Sequence, residues 1–280
     1  MKFTKMHGAG NDYIYVNGFE EKIDDPAAAA VKVSDRHFGI GSDGLILILP
    51  STVADFRMRM FNDDGSEGKM CGNGTRCIAR YVYDNKLTDK KVVTLETLSG
   101  IKILNINTDE NGKFLSATVN MGAPILKSQD IPTTLLGGEK NTVRLAGADW
   151  ELIPVGMGNP HCVTFVDYSP FGMEDFEKIG PLFEHYSAFP ERVNTEFCRI
   201  ISPTQLEMRV WERGSGETLA CGTGTCATVV AAILCGHCQR DTDITVTLRG
   251  GTLIIRWSSE DGCVYMTGPA EFICTGEIEL

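Results

Sequence analysis

The sequence predicts an α+β protein of two homologous domains related by a pseudo-twofold axis, each a curved, mostly antiparallel β-sheet wrapped around one central helix. Three observations predict this architecture. A segment in the first half of the chain recurs in the second half, runs of β-branched residues are separated by turn residues, and an apolar helix follows the recurring segment. A repeat within one chain indicates that one structural unit is built twice.

The segment Met58 to Cys77, MRMFNDDGSEGKMCGNGTRC, recurs as Met208 to Cys226, MRVWERGSGETLACGTGTC, and Met58, Glu67 and Cys71 match Met208, Glu217 and Cys221 at an offset of 208 − 58 = 150. It extends upstream, where the segment Gly8 to Asn11 resembles Gly156 to Asn159. Downstream, each half has a hairpin turn and then a Met-x-Gly or Met-Gly segment. Four features in the same order predict two homologous halves.

Strands are expected where β-branched residues are bounded by Gly, Asp and Asn. A helix is expected after each Cys-Gly-x-Gly-Thr loop. Cys226 to Cys235 is apolar on every side, and such a helix must be enclosed. Ile131 to Gly138 and Tyr168 to Pro190 are expected to be loops or short helices. The expected strands are Tyr13 to Val16, Leu45 to Leu49, Val92 to Leu98, Ile101 to Asn107, Lys113 to Asn120, Cys162 to Val166, Ile244 to Leu248, Thr252 to Trp257 and Cys263 to Met266.

The repeat also predicts the domain boundaries. The first domain comprises residues 1–120 and 268–280, because the chain returns from the second half near Gly268 and its last segment completes the first sheet. The second domain comprises residues 121–267.

Composition excludes several classes of protein. The 280 residues include 26 Lys and Arg against 37 Asp and Glu, a net charge of −11, which argues against a nucleic-acid partner. No apolar run approaches the roughly 20 residues that span a bilayer, and the N-terminus lacks the apolar core of a signal peptide. We therefore expect a cytoplasmic protein whose ten cysteines are mostly free thiols, with disulfides as the alternative.

The two Cys-Gly-x-Gly-Thr loops carry the chemistry. A helix N-terminus that follows a glycine-rich loop binds anions such as carboxylates. It is also expected to lower the pKa of a cysteine at its start toward neutrality. Cys71 and Cys221 occupy equivalent positions in the two loops. The alternative for each is a small buried cysteine without a chemical role.

A pseudo-twofold axis would place Cys71 and Cys221 on opposite sides of one α-carbon. One thiolate could then remove the α-proton while the opposite thiol returns a proton to the other face, which inverts the stereocentre. The helix N-termini would stabilise the negative charge on the carboxylate. This mechanism needs no cofactor, and no dinucleotide or P-loop motif is present.

Five motifs together resemble the diaminopimelate epimerase family. They are MHGAGNDY from Met6, RHFGIGSDGL from Arg36, NDDGSEGKMCGNGTRC from Asn62, GNPHCV from Gly158 and ERGSGETLACGTGTCA from Glu212. The resemblance implies cofactor-independent interconversion of LL- and meso-2,6-diaminopimelate in lysine and peptidoglycan-precursor biosynthesis. It also implies the two-domain fold of the proline racemase and epimerase superfamily, usually as a homodimer.

The resemblance assigns roles to individual residues. Cys71 and Cys221 are implied to be the acid/base pair, and His161 and Glu212 to tune the thiols, although a structural hydrogen bond is the alternative for His161. The backbone of Gly72, Asn73, Gly222 and Thr223 is implied to hold the reacting carboxylate. The implied ligands for the rest of the substrate are Asn11, Asn62, Asn159, Asn194, Glu212 and Arg213.

One residue departs from the family pattern. Gly44 stands where some members carry Gln, so the contact of that Gln side chain with the substrate is missing or supplied by Ser42, Asp43 or water.

One motif is typical of another class of protein. Cys235 and Cys238 form a Cys-x-x-Cys pair as in disulfide oxidoreductases, but the pair lies at the far end of a helix, where the dipole disfavours a thiolate. A zinc site would need a second such pair, so no metal is expected.

Two rival functions share the predicted fold. A pure binding protein is possible, but it would not need both loop cysteines, and both are present. A proline racemase-like enzyme is the nearest rival among isomerases, but several asparagines and Arg213 suit a substrate with a second charged amino-acid group.

Overall fold

The computed structural model describes residues 1–280. The elements are β1 (Lys2–Gly8), β2 (Asn11–Asn17), α1 (Pro26–Ser34), β3 (Gly44–Leu49), β4 (Phe56–Asn62), β5 (Glu67–Gly68), α2 (Gly72–Asp84), β6 (Val92–Thr97), β7 (Gly100–Thr108), β8 (Phe114–Gly122), β9 (Asn141–Leu145), β10 (Ala148–Gly156), β11 (Pro160–Phe165), α3 (Phe176–Glu184), β12 (Asn194–Ser202), β13 (Gln205–Glu212), β14 (Gly216–Thr218), α4 (Gly222–Leu234), β15 (Ile244–Leu248), β16 (Gly251–Trp257), β17 (Val264–Gly268) and β18 (Glu271–Glu277). Helices and strands of this order confirm the predicted α+β class. No helix has the length and apolarity that crossing a bilayer requires.

The chain divides into two compact units. The first comprises Met1–Asn120 and Thr267–Leu280, and the second comprises Met121–Met266. Thr267 therefore lies in the first unit, one residue away from the boundary expected from the repeat. That these units are the two domains expected from the repeat stays a prediction.

Both units follow one order of strand pairing. In the first unit β2 runs parallel to β3 and β4 runs parallel to β6, whereas β1–β2, β3–β4, β4–β5, β6–β7 and β7–β8 are antiparallel. In the second unit β11 runs parallel to β12 and β13 runs parallel to β15, whereas β10–β11, β12–β13, β13–β14 and β15–β16 are antiparallel. The two parallel pairs recur at the same places, so the repeated sequence folds into a repeated topology.

Each sheet packs against one buried helix. Helix α4 contacts β10, β11, β12, β13 and β16 of its own unit, and its side chains from Cys226 to Ala232 are buried. Its all-apolar sequence explains this enclosure, because a helix with no polar face gains nothing from contact with water. Helix α2 contacts β1, β2 and β7, and its first turns are buried as well.

The turn before each buried helix is held by the same ion pair. The guanidinium of Arg59 donates to both carboxylate oxygens of Glu67 at 2.7 and 3.0 Å. Arg209 does the same to Glu217 at 2.6 and 2.9 Å. A bidentate pair of this kind fixes both partners in one geometry. It ties β4 to β5 and β13 to β14, and so orients the loops that lead into α2 and α4.

Each expected strand run overlaps an observed strand, but several elements lack a clear signal in the sequence. Helices α1 and α3 each connect a pair of parallel strands, and α3 lies within the segment expected to be a loop or short helix. Helix α1 is an alanine-rich stretch whose N-cap is Asp25, which accepts a hydrogen bond from the Ala28 N–H at 3.0 Å. The strands that lie outside the expected strand runs are β1, β4, β5, β9, β10, β12, β13, β14 and β18.

Candidate active site

Cys71 is the N-cap residue of α2 in the first unit. Its Sγ accepts a hydrogen bond from the backbone N–H of Gly74 at 3.3 Å and lies 3.3 Å from Asn11 Oδ1, to which the thiol donates. The Gly74 N–H favours a thiolate, whereas Asn11 favours a thiol. Both protonation states of the sulfur therefore have a hydrogen-bond partner, as an acid/base group requires.

The orientation of the Asn11 amide is fixed by a network on its other side. Asn11 Nδ2 donates to Asp43 Oδ2 at 2.7 Å, and Arg36 Nη2 holds Asp43 Oδ1 at 2.8 Å. Because Asn11 Nδ2 is hydrogen-bonded to Asp43, Asn11 Oδ1 is the atom that faces Cys71. Asn73 Nδ2 lies 3.4 Å from the same oxygen. Asn11 therefore presents an acceptor at this site.

A buried arginine that the sequence reasoning missed supports the first turn of α2. Arg76 is fully buried, and its guanidinium donates to Asn73 Oδ1 at 2.9 Å and to the Gly72 carbonyl at 3.3 Å. The structure thus brings Asn11, Gly72 and Asn73 together around Cys71. An Arg in the apolar face of a helix that starts at a glycine-rich loop is the signal that could have identified it.

Asn62 and Gly44 lie opposite each other in the register of β3 and β4. The Asn62 Nδ2 donates to Ser66 Oγ at 2.9 Å, within the turn that leads to β5. Gly44 has a φ of +155°, and a Cβ there would lie 2.1 Å from the Phe61 carbonyl oxygen. No side chain fits at residue 44 on this backbone. Ser42 Oγ donates to the Gly44 carbonyl at 2.9 Å, and Asp43 Oδ2 accepts from Asn11 at 2.7 Å.

Cys221 is the N-cap residue of α4 in the second unit and is 5% exposed. Burial raises the pKa of its thiol well above the ordinary value, and the negative charges of Glu212 and Glu196 raise it further. The Thr223 hydroxyl, 3.5 Å from the sulfur, and the Gly224 N–H lower the pKa by less. The expectation that the helix N-terminus brings this thiol toward neutrality is therefore wrong for Cys221, because burial and two carboxylates raise its pKa by more than the hydrogen bonds from Thr223 and Gly224 lower it.

His161 is fully buried and hydrogen-bonded on both ring nitrogens. Nδ1 lies 2.7 Å from Glu196 Oε1, and Nε2 lies 2.9 Å from Asn159 Oδ1. Glu196 is fully buried too, and it is the residue of this cluster that the sequence reasoning missed. The structure therefore gathers Asn159, His161 and Glu196, and places Glu212 and Glu196 where their charges act on Cys221.

Asn194 and Arg213 form a second group in this unit. Asn194 Nδ2 donates to the Pro160 carbonyl at 3.1 Å, and its Oδ1 accepts from the Arg213 backbone N–H at 2.8 Å. The Arg213 side chain donates through Nη1 to the Glu191 carbonyl at 2.9 Å. Glu212 accepts from the Thr218 hydroxyl. Asn194 thus joins the start of β11 to the turn after β13, which places Glu212 and Arg213.

Gly222 and Thr223 are the first residues of α4, as Gly72 and Asn73 are of α2. An α-helix provides no intrahelical acceptor for the N–H groups of its first turn. Backbone N–H groups at these positions suit a carboxylate, and this chemistry is the same in both units. No group of three His, Cys, Asp or Glu side chains is arranged to hold a metal ion.

Comparison with known sequences identifies one family. The family model described as Diaminopimelate epimerase matches residues 3–127 and 153–273. A diaminopimelate epimerase of Agathobacter rectalis is 54% identical and one of Methanococcus maripaludis strain C5 is 53% identical, each with both chains covered in full. A third, from Acetivibrio thermocellus, is 53% identical over all of this chain and 99% of the relative.

Solved structures with low sequence identity share the fold. A phenazine biosynthesis protein of the PhzF family from Bacillus anthracis has a TM-score of 0.71 at 18% identity, covering 100% of this chain and 99% of that one. A probable proline racemase from Agrobacterium radiobacter has a TM-score of 0.72 at 14% identity, covering 100% and 93%. At these identities the likeness concerns the fold alone.

Proposed function

The chain belongs to the diaminopimelate epimerase family and is an amino-acid isomerase, and from this premise we propose that it interconverts LL- and meso-2,6-diaminopimelate by a two-base mechanism without a cofactor. One sulfur acts as a thiolate that removes the α-proton, and the other acts as a thiol that delivers a proton to the opposite face. The thiolate becomes a thiol and the thiol a thiolate, so no atom or electron is gained or lost overall.

The duplicated cysteine is the observation that carries this proposal. Cys71 and Cys221 are both N-cap residues of the one buried helix of their unit. Inversion of a stereocentre requires a base on one face and an acid on the other, because a single base tends to return the proton to the side from which it came. A chain that builds the same cysteine twice supplies one such group for each face.

The substrate carboxylate next to the reacting carbon is proposed to bind the first-turn N–H groups of Gly72, Asn73, Gly222 and Thr223. These donors would also stabilise the negative charge that develops on the carboxylate when the α-proton leaves. The transition state is then bound more tightly than the ground state, as catalysis demands.

The non-reacting amino-acid end of diaminopimelate needs a cation and several amide groups. We assign the cation to Arg213, whose guanidinium can bind a carboxylate with two parallel hydrogen bonds. The other proposed ligands are Asn11, Asn62, Asn159, Asn194 and Glu212. His161 is proposed to act on the thiols and on Asn159. Asn194 contributes by holding the turn that carries Arg213, since both ends of its amide bond the backbone.

The same proposal extends to the cellular role. Meso-diaminopimelate is the form used in lysine and peptidoglycan-precursor biosynthesis, so we place the protein there, in the cytoplasm, as a homodimer. Neither a nucleic acid nor a membrane is part of this proposal.

The test is epimerisation in D₂O. Protein incubated with LL-diaminopimelate should form the meso isomer with deuterium at the inverted α-carbon, and Cys71→Ala or Cys221→Ala should each lower kcat at least about a hundredfold. Cys274→Ala in the first unit and Cys263→Ala in the second are matched controls that should keep wild-type rates. Turnover of proline or hydroxyproline in place of diaminopimelate would contradict the substrate assignment. An undiminished rate in either N-cap variant would contradict the mechanism.

A further inference from the structure

A buried carboxyl–imidazole pair lies beside α4 in the second unit. Glu196 stands on β12 and His161 on the parallel strand β11, with Glu196 Oε1 2.7 Å from His161 Nδ1. Both side chains have no exposed surface, and Glu196 Oε2 is buried without a hydrogen-bond partner. A buried polar atom without a partner is costly, so this carboxyl group needs an explanation other than packing.

The repeat shows that the fold does not require an acid at this position. Residue 196 corresponds to Ile46 of the first unit (196 − 150), and Gly224 corresponds to Gly74. A Cβ on Gly74 would lie 2.7 Å from Ile46 Cδ1, and a Cβ on Gly224 would lie 2.4 Å from Glu196 Oε1. The two side chains therefore occupy the same place against the first turn of their helix, and an apolar one suffices in the first unit.

The hydrogen bonds of His161 define how many protons the pair holds. Nε2 faces Asn159 Oδ1 at 2.9 Å, an acceptor, so Nε2 carries a proton. Between Nδ1 and Glu196 Oε1 there is room for one more proton, on either atom. Whichever atom holds it, the pair has no net charge. Burial favours this state, because an uncompensated charge in the interior is expensive.

We propose that Glu196 is a positioning residue for epimerisation: it shares one proton with His161, keeps the Nε2–H of His161 directed at Asn159 Oδ1, and so leaves the N–H donors of the Asn159 amide for the substrate. The inference rests on the proposed function, in which Asn159 binds diaminopimelate. Burial raises the pKa of Glu196 and His161 lowers it, as expected for two groups that share a proton.

The two units orient their equivalent asparagines in opposite ways. Asn11 is anchored through its nitrogen by Asp43 and presents its oxygen, whereas Asn159 is anchored through its oxygen by His161 and presents its nitrogen. The Glu196–His161 pair thus accounts for the difference between two otherwise repeated sites.

The other titratable groups around the pair are Cys162 on β11, Glu212 on β13 and Cys221 at the start of α4. A pH profile of the reaction is therefore expected to report Cys221, whose thiol pKa is raised by burial and then by Glu212 and Glu196.

The first test reads the imidazole directly and needs no substrate. In protein labelled with ¹⁵N-histidine, two-bond ¹H–¹⁵N spectra distinguish a protonated ring nitrogen from a bare one. From the contact with Asn159 Oδ1, we expect His161 to carry a proton on Nε2. A His161 with its only proton on Nδ1 would overturn the inference, because Glu196 would then be an unshared carboxylate and Asn159 would have to present its oxygen.

The second test compares two substitutions at one position. Glu196→Gln can donate an amide N–H to Nδ1, so Nε2–H and kcat/KM for LL-diaminopimelate should stay within about threefold of wild type. Glu196→Ile copies the first unit and removes that partner, so kcat/KM should fall about tenfold or more while the unfolding midpoint is kept. Glu207→Gln, at a partly exposed acid of the adjacent β13, is the matched control and should behave as wild type.

A purely structural role predicts a different result. With a purely structural role, Glu196→Gln and Glu196→Ile would change kcat/KM equally, or activity would fall only in proportion to the loss of folded protein. Either result overturns the inference. Should Glu196→Ile not fold, the His161 spectra of the wild type and of Glu196→Gln decide. A wild type without diaminopimelate epimerase activity would refute the proposed function, and the wild-type spectrum would still decide whether the proton is shared.

Discussion

Replacing Gly224 by Ala should destabilise the second unit, whereas the equivalent change at Gly74 should have little effect on the first. Both glycines are the third residue of a buried helix and have the same place in the repeat. They differ in what an added methyl group would meet. At Gly74 this is the end of the Ile46 side chain, and at Gly224 it is the carboxyl group of Glu196.

The structure sets the size of each effect. The new Cβ at residue 224 would lie 2.4 Å from Glu196 Oε1, about 1 Å closer than an ordinary contact. A retreat of about 1 Å stretches the 2.7 Å hydrogen bond to His161 beyond its range. Losing that bond costs about 1.5–3 kcal/mol and overpacking about 1–3 kcal/mol, against a gain of about 1 kcal/mol from Ala in a helix. The net loss is about 1.5–5 kcal/mol.

A Cβ added at residue 74 would lie 2.7 Å from Ile46 Cδ1. This methyl group is the end of a flexible side chain and has less far to move than the Glu196 carboxyl group. The helix propensity gained by Gly74→Ala offsets much of that strain, so the net change should stay within about 1 kcal/mol.

Urea unfolding followed by tryptophan fluorescence is the assay. Trp150, Trp211 and Trp257 are the chain's three tryptophans, and all lie in the second unit, so fluorescence reports that unit, and far-ultraviolet circular dichroism followed in the same titration reports both units. With an m-value of about 2–3 kcal/mol/M, Gly224→Ala should lower the midpoint by roughly 0.5–2.5 M, and Gly74→Ala should leave it nearly unchanged. Equal midpoints for the two variants would show that the Glu196 carboxyl group is not held in place by His161.

Two further predictions concern cysteines. Burial and nearby carboxylates raise the pKa of Cys221, so its alkylation by iodoacetamide in ligand-free protein should still accelerate above pH 9, as measured by peptide mass spectrometry. Glu212→Gln removes a negative charge and should speed the alkylation at pH 8. An alkylation rate that levels off below pH 8 would contradict a raised pKa. Burial raises the pKa of Cys238 to about 11, so it is a thiol at neutral pH. Cys238→Ala should therefore leave the epimerase rate within about threefold, and complete loss of activity would favour a redox function.

The sequence was sufficient for features that depend on local pattern. The 150-residue offset locates Cys71 and Cys221, and glycine-rich loops before apolar segments place both at helix starts. Alternating β-branched runs identify many of the strands, since burial of one sheet face imposes that pattern. The all-apolar stretch after Cys221 predicts an enclosed helix, because no face of it can profit from water.

Some parts of the site have no local signal. Glu196 and His161 are 35 positions apart and meet only because β11 and β12 run parallel. In the sequence, Glu196 looks like one of many acidic residues. Only its alignment with the apolar Ile46 shows that the two halves of the repeat differ at this position. Arg76 stands out in the sequence only as an arginine on the apolar face of a helix, and its partners Gly72 and Asn73 are seen only in the structure, where it is fully buried.

The sequence by itself thus determined the duplicated α+β plan, the family and the two helix-start cysteines, because each of these follows from residue order and spacing. Only the tertiary structure decided the electrostatics. A helix N-terminus favours a thiolate, but the pKa of Cys221 is set by how much water is removed and which carboxylates lie near, and strand pairing determines both. The opposite orientations of Asn11 and Asn159 were decided in the same way, by partners such as Asp43 and His161 that the fold brings within hydrogen-bonding distance.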